Sequence, residues 1–133
     1  MNAFVFPGQG SQHLGMGADL YNSNKKAQQI FEDANEILGF KITDIMFGED
    51  QEALKQTNIT QPAIYIHSMV TALIANKFFK PDAVAGHSLG EFTALTAANY
   101  INFEDGLRLV QKRAVAMQEA CEKNESSMAA IVG

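Results

Sequence analysis

In the stretch A-V-A-G-H-S-L-G-E-F, residues 83–92, the hydroxyl of Ser88 stands between Gly86 and Gly90, directly after a short apolar run. Strand, G-x-S-x-G, helix is the order that makes a nucleophile elbow: the serine takes a sharp turn and the glycines let neighbouring backbone pass closely. A helix beginning at Leu89 would aim unbonded N–H groups and a partial positive charge at Ser88, where an oxyanion could be stabilised. The plainer alternative is a turn that is structural only.

A serine nucleophile needs a base, and the chain has three histidines. His87 adjoins Ser88, so a strand-to-turn geometry sends its ring away from the hydroxyl and leaves it to brace the elbow. His67 falls inside an apolar helical stretch and reads as a satisfied core histidine. His13 sits in the loop after Pro7-Gly8-Gln9-Gly10-Ser11-Gln12, with no partner that the sequence identifies. Elbow hydrolases place the histidine after the serine, and nothing downstream of Ser88 is a histidine. The base is absent from these residues.

The elements that must carry these groups follow from periodicity. Ala3–Phe6 reads as a short buried strand that the Pro-Gly-Gln-Gly loop cannot extend. Apolar spacings of three and four from Ala27 to Leu38, closed by Gly39, predict an amphipathic helix. A short helix is expected from about Glu49 to Gln56. Thr60-Gln61-Pro62 has a cap-type residue and a first-turn proline, opening a helix from Ala63 to Phe79 that is apolar on most faces. After Pro81-Asp82 come a strand at Ala83-Val84-Ala85 and a helix from Leu89 to Ala98. Asn102 with Asp105 resembles a capping arrangement for a helix to about Glu122, its buried stripe being Leu107, Val110, Ala114, Met117 and Cys121. On that helix only Arg113 can lean inward, with Arg108 and Lys112 on the far side. Its alternative is a surface arginine whose stem covers the core. A polar break at Asn124–Ser127 precedes a strand from Met128 to Val132.

Composition sets limits. At 133 residues, 47% hydrophobic and 19% charged, the chain has the make-up of one ordinary globular domain. A formal charge of −5 argues against duplex nucleic acid, which selects basic faces. No stretch reads as a membrane span or a secretory signal, so a cytoplasmic location is expected. The single cysteine, Cys121, permits no internal disulfide and no cysteine-based zinc site, and reads as a small buried hydrophobe.

P-G-Q-G-S-Q at 7–12, T-Q-P-A at 60–63, G-H-S-L-G-E at 86–91, R-L-V-x-x-R at 108–113, M-Q-E-A at 117–120 and M-A-A-I-V-G at 128–133 together resemble the malonyl-CoA:acyl carrier protein transacylases of fatty acid synthesis. G-x-S-x-G alone is shared with lipases and thioesterases; its pairing with P-G-Q-G-S-Q is particular to acyltransferases of this type. The resemblance implies an α/β fold: an α/β hydrolase-like large subdomain with a parallel sheet and flanking helices over residues 1–124, then, at 125–133, the first strand of a ferredoxin-like small subdomain. It implies Ser88 as the acylated nucleophile, the N–H groups of Gln9 and Leu89 as the oxyanion hole, and Arg113 as the partner of the malonyl carboxylate. Gln61 would line that pocket and His87 would support the nucleophile. The substrates implied are malonyl-CoA and acyl carrier protein, with coenzyme A entering as part of the substrate, no further cofactor and no metal. Family members are longer, so the chain is expected to be an N-terminal portion, inactive alone, whose catalytic histidine lies beyond Gly133.

Other readings share the elbow. A thioesterase would use water as acceptor, a larger synthase would contain the same domain, and an interaction module would keep the fold without the chemistry. Lys77 with Lys80, or Arg108 with Lys112, could belong to a cationic patch for an acidic carrier, although a solvated helix face explains either pair.

Overall fold

The structure is a computed structural model that describes residues 1–124 together with residues 129 and 131. Among these the chain runs β1 (Ala3–Phe6), α1 (Ala18–Ser23), α2 (Lys25–Leu38), α3 (Ile42–Phe47), α4 (Gln51–Lys55), α5 (Thr57–Ala75), a 3-10 turn (Asn76–Phe78), β2 (Ala83–Gly86), α6 (Gly90–Ala97) and α7 (Phe103–Lys123). The expected strand from Met128 to Val132, and with it the second subdomain at 125–133, lies outside the described residues.

β1 and β2 pair in parallel, from Ala3 opposite Ala83 to Phe6 opposite Gly86. Parallel neighbours cannot be joined by a hairpin, and the helices α1 to α5 make the crossover. Both strands therefore release their following loops, P-G-Q-G and G-H-S-L-G, at the same edge of the sheet. In open α/β sheets that carboxyl edge is where ligands bind.

The core forms around α5. A helix apolar on most faces must be covered from several sides. Ala63, Ile64, Tyr65, Ile66, Met69 and Val70 are buried on it, and they join one cluster with Phe31 and Ala34 of α2, Ile42 and Met46 of α3, and Leu107 and Val110 of α7. Tyr65 is fully buried; its hydroxyl lies 2.9 Å from Thr96 Oγ1 of α6 and donates to the Phe103 carbonyl at 3.1 Å. Burial pushes that phenol up to about 12. α7 passes this close because Gly106 faces the Tyr65 hydroxyl, where a side chain would collide.

Local signals placed most boundaries. Asn24 caps α2 through bonds from the Lys26 and Ala27 amides, Gly39 closes it at φ 78°, and Asn102 caps α7 by accepting from the Asp105 amide at 2.8 Å. Other expectations are corrected. α5 begins at Thr57, so Pro62 lies inside it and Thr60 is no cap, its hydroxyl donating back to the Leu54 carbonyl. It ends at Ala75 rather than Phe79, where the 3-10 turn takes over. On α7 the fully buried stripe stops at Ala114, with Met117 and Cys121 half-buried. Tyr65 meets Gly106 while Gln61 meets Arg113 and Met117, so α5 and α7 run in opposite directions and α7 from Met117 onward is matched only by the first turns of α5.

Candidate active site

Ser88 adopts φ 53°, in the left-handed region that costs an L-residue roughly 1–2 kcal/mol. The other non-glycine residues described with positive φ are Asn76 and Asn99, of the type that tolerates it best. The turn is held there by backbone bonds. His87 N–H donates to the Phe6 carbonyl at 3.0 Å, Gly90 to His87 at 2.9 Å and Glu91 to Ser88 at 3.1 Å. The Ser88 side chain remains exposed to solvent.

These bonds also limit which amides of the turn remain open. α6 starts at Gly90, one residue later than expected, and the amides of Gly90, Glu91 and Phe92 are occupied by carbonyls of the turn itself. Among the described residues, the amide of Leu89 and that of Gln9 donate to no protein acceptor. One free amide thus comes from the helix start instead of several, and a second comes from the loop after β1.

Glycine at 86 and 90 is a matter of space. A β-carbon on Gly86 would penetrate the Gly90 carbonyl, and one on Gly90 would meet the Phe6 carbonyl. At Gly8 it would come within 2.6 Å of the His87 carbonyl and 2.7 Å of the ring Nδ1. The loop after β1 and the turn after β2 therefore lie backbone against backbone, with the His87 ring filling the angle beside Gly8. We expect Gly86→Ala to cost about 3 kcal/mol, the upper range for overpacking. Urea unfolding with an unchanged slope would measure it, and a loss below about 0.5 kcal/mol would contradict this packing.

Arg113 projects from α7 into the space above the turn. Its Nη2 donates to Ser88 Oγ at 2.8 Å, and its Nη1 donates to Oε1 of the buried Gln61 on α5. The Phe92 ring lies beneath the guanidinium, 5.8 Å from ring centre to Cζ, within range of a cation–π contact. Gln61 is fixed at its other end by Nε2, 3.3 Å from Met117 Sδ. Ser88, Arg113 and Gln61, singled out separately in the sequence, thus form one cluster. Gln9 reaches from the loop after β1 to the first turn of α5, its Nε2 donating to Thr57 Oγ1 at 3.3 Å.

The other two histidines stand together. His13 and His67 pack edge to face with centroids 6.1 Å apart. His67 is half-buried, and its ring hydrogen-bonds to no described residue, so it is not the satisfied core group expected. Burial holds its imidazole below the ordinary range, His13 adds to this, and Asp19 opposes it. Of the candidate cations, Arg108 is paired with Glu104 at 2.8 Å and Lys77 lies over the Phe78 ring.

Thr57, Phe92 and Met117 were not anticipated. Each lies four residues from a residue that was: Thr57 before Gln61, Phe92 after Ser88, Met117 after Arg113. Thr57 and Met117 share a helix face with the predicted residue one turn away, whereas Ser88 precedes α6, and each of the three serves a residue on another element: Thr57 the Gln9 side-chain amide, Phe92 the Arg113 guanidinium and Met117 the Gln61 side-chain amide. The spacing marks Thr57 and Met117 as face-mates of predicted residues, but the contacts all three make run between elements and have no local signal.

Residues 3–132 match the acyl transferase domain family. The chain is 44% identical over 131 residues to the malonyl CoA-acyl carrier protein transacylase of Staphylococcus aureus strain MRSA252, an alignment covering 98% of this chain and 42% of that protein. The solved malonyl-CoA:ACP transacylase of Synechocystis sp. PCC 6803 superposes with a TM-score of 0.84 at 45% identity, over 89% of this chain and 40% of its own. A malonyl-transacylase solved in complex with a type II PKS acyl-carrier protein gives 0.83 at 41% identity, over 89% and 39%. The chain spans about two fifths of the length of each. No helix among the described residues is long and apolar enough to cross a membrane. Matched from residue 3 to residue 132, this chain belongs to the acyl transferase domain family and has the α/β fold of its solved relatives.

Proposed function

We propose that the chain carries the nucleophile and the acid-binding group of an enzyme that transfers malonyl from malonyl-CoA to the phosphopantetheine thiol of acyl carrier protein, supplying fatty acid synthesis. Ser88 Oγ attacks the thioester carbonyl, the carbon–sulfur bond breaks and coenzyme A leaves as the thiol, giving a malonyl ester on Ser88. The carrier thiol then attacks that ester and Ser88 recovers its proton. The amides of Gln9 and Leu89 receive the negative charge that forms on the carbonyl oxygen in each step. Arg113 binds the free carboxylate, with Gln61 lining the same pocket and His87 bracing the turn. The observation that carries this reading is the guanidinium held 2.8 Å from an exposed serine at positive φ. An anion receptor beside an acyl acceptor is what this reading requires.

The relatives, malonyl-CoA transacylases of which one was solved with an acyl-carrier protein, support the substrate and the carrier. None of the three histidines serves as the base in this scheme: His87 packs on Gly8, and His13 and His67 face each other. Residues 1–133 alone are accordingly expected to turn over negligibly, since loss of a triad member leaves only a remnant of the rate. The reading is tested by incubating the intact protein with malonyl-CoA and locating the adduct by peptide mass spectrometry. A malonyl ester on Ser88, discharged by holo carrier protein faster than by water, is expected. Its absence would remove the enzymatic reading, and faster discharge by water would make the protein a thioesterase.

A further inference from the structure

We propose that Arg113 caps the nucleophile in the unliganded protein, and that the carboxylate of the acyl donor lifts the cap by taking over the Nη2 donor. The proposal deepens the reading above and rests on its assignment of Ser88 as nucleophile. A serine oxygen has two lone pairs, and attack on a carbonyl needs one of them. Here a cationic N–H donates to that oxygen at 2.8 Å and draws electron density away from it. The rest of the guanidinium is held independently, by the Gln61 Oε1 bond at Nη1 and the Phe92 ring beneath it. Nη2 can therefore change partners while the arginine stays in place.

An arriving carboxylate offers Nη2 a charged acceptor, which binds an N–H more strongly than a neutral hydroxyl does. The exchange frees Ser88 Oγ as the substrate settles. A donor with no carboxylate must break the cap and receives nothing in return. Selection thus acts on the reactivity of the serine as well as on the hold on the substrate.

The test uses phenylmethanesulfonyl fluoride, a serine reagent with no carboxylate, on the intact protein. The second-order rate of Ser88 sulfonylation, followed by protein mass, is expected to rise about tenfold in both Arg113→Ala and Arg113→Met, about the worth of one charge-assisted bond. An unchanged or slower rate in both variants would overturn the cap. Loading from malonyl-CoA in the same variants is a separate readout. If it were undiminished, the carboxylate role of Arg113 would fail while sulfonylation still judged the cap. A second measurement keeps Arg113 in place: in Ser88→Ala the guanidinium protons of Arg113 are expected to exchange with water several-fold faster by nuclear magnetic resonance. Equal exchange in both proteins would also overturn the cap.

Discussion

Ser88→Ala is expected to abolish acyl loading from malonyl-CoA and to lower carrier-dependent transfer by about 10⁴-fold or more in the intact protein, the scale seen when a nucleophile is removed. The substitution deletes one oxygen and leaves a β-carbon in place. Alanine meets the same backbone penalty at φ 53° as serine does, and the Arg113 bond that is lost is solvent-exposed, so stability should stay within about 1 kcal/mol. The elbow bonds from His87, Gly90 and Glu91 are between backbone groups and survive. Loss of activity with an unchanged melting temperature would therefore report chemistry rather than folding. Residual transfer within tenfold of the parent would show that another group takes the acyl chain.

Arg113→Ala is expected to change selectivity more than overall competence. Gln61 already engages Nη1, so a bound carboxylate is left Nη2 and the remaining N–H donors, one or two charge-assisted bonds at about 1.5–3 kcal/mol each. Their loss corresponds to a fall in malonyl kcat/KM of roughly tenfold to ten-thousandfold. An acetyl donor has no carboxylate to lose, so acetyl transfer should hold or rise. Parallel kcat/KM measurements with malonyl-CoA and acetyl-CoA decide the matter. Equal losses for the two would take the arginine out of substrate choice.

Much of this arrangement was legible before any coordinates. The strand, turn and helix around Ser88 follow from an apolar triplet, two glycines and a run of helix formers, each acting within a few residues. The caps of α2 and α7 are as local as that. What failed was longer in range or shorter in length. α1 and α3 have six residues each, too few for a helical period to show, and α3 is fixed by the buried bond from the Asn35 side-chain amide to Thr43 Oγ1 at 3.0 Å. The start of α5 was misplaced because Pro62 signals a first turn locally, whereas Gln56 begins the helix with no side-chain cap to mark it. Arg113 was found by its angle on α7. Its bonds to Gln61 and Ser88 span 52 and 25 residues, and no local pattern reports them. That Met117 and Phe92 steady this group became visible only once α5, α6 and α7 were packed.

The backbone-to-backbone contact of Gly8, Gly86 and Gly90 also bears on redesign. That floor has no room to be resculpted, since any added carbon strikes main chain that cannot step aside. Gln61, Met117 and Phe92 instead approach through side chains borne on separate helices, so their length and polarity can be traded without disturbing the turn. An engineer seeking a different acyl scope would work on those walls and leave the foundation alone.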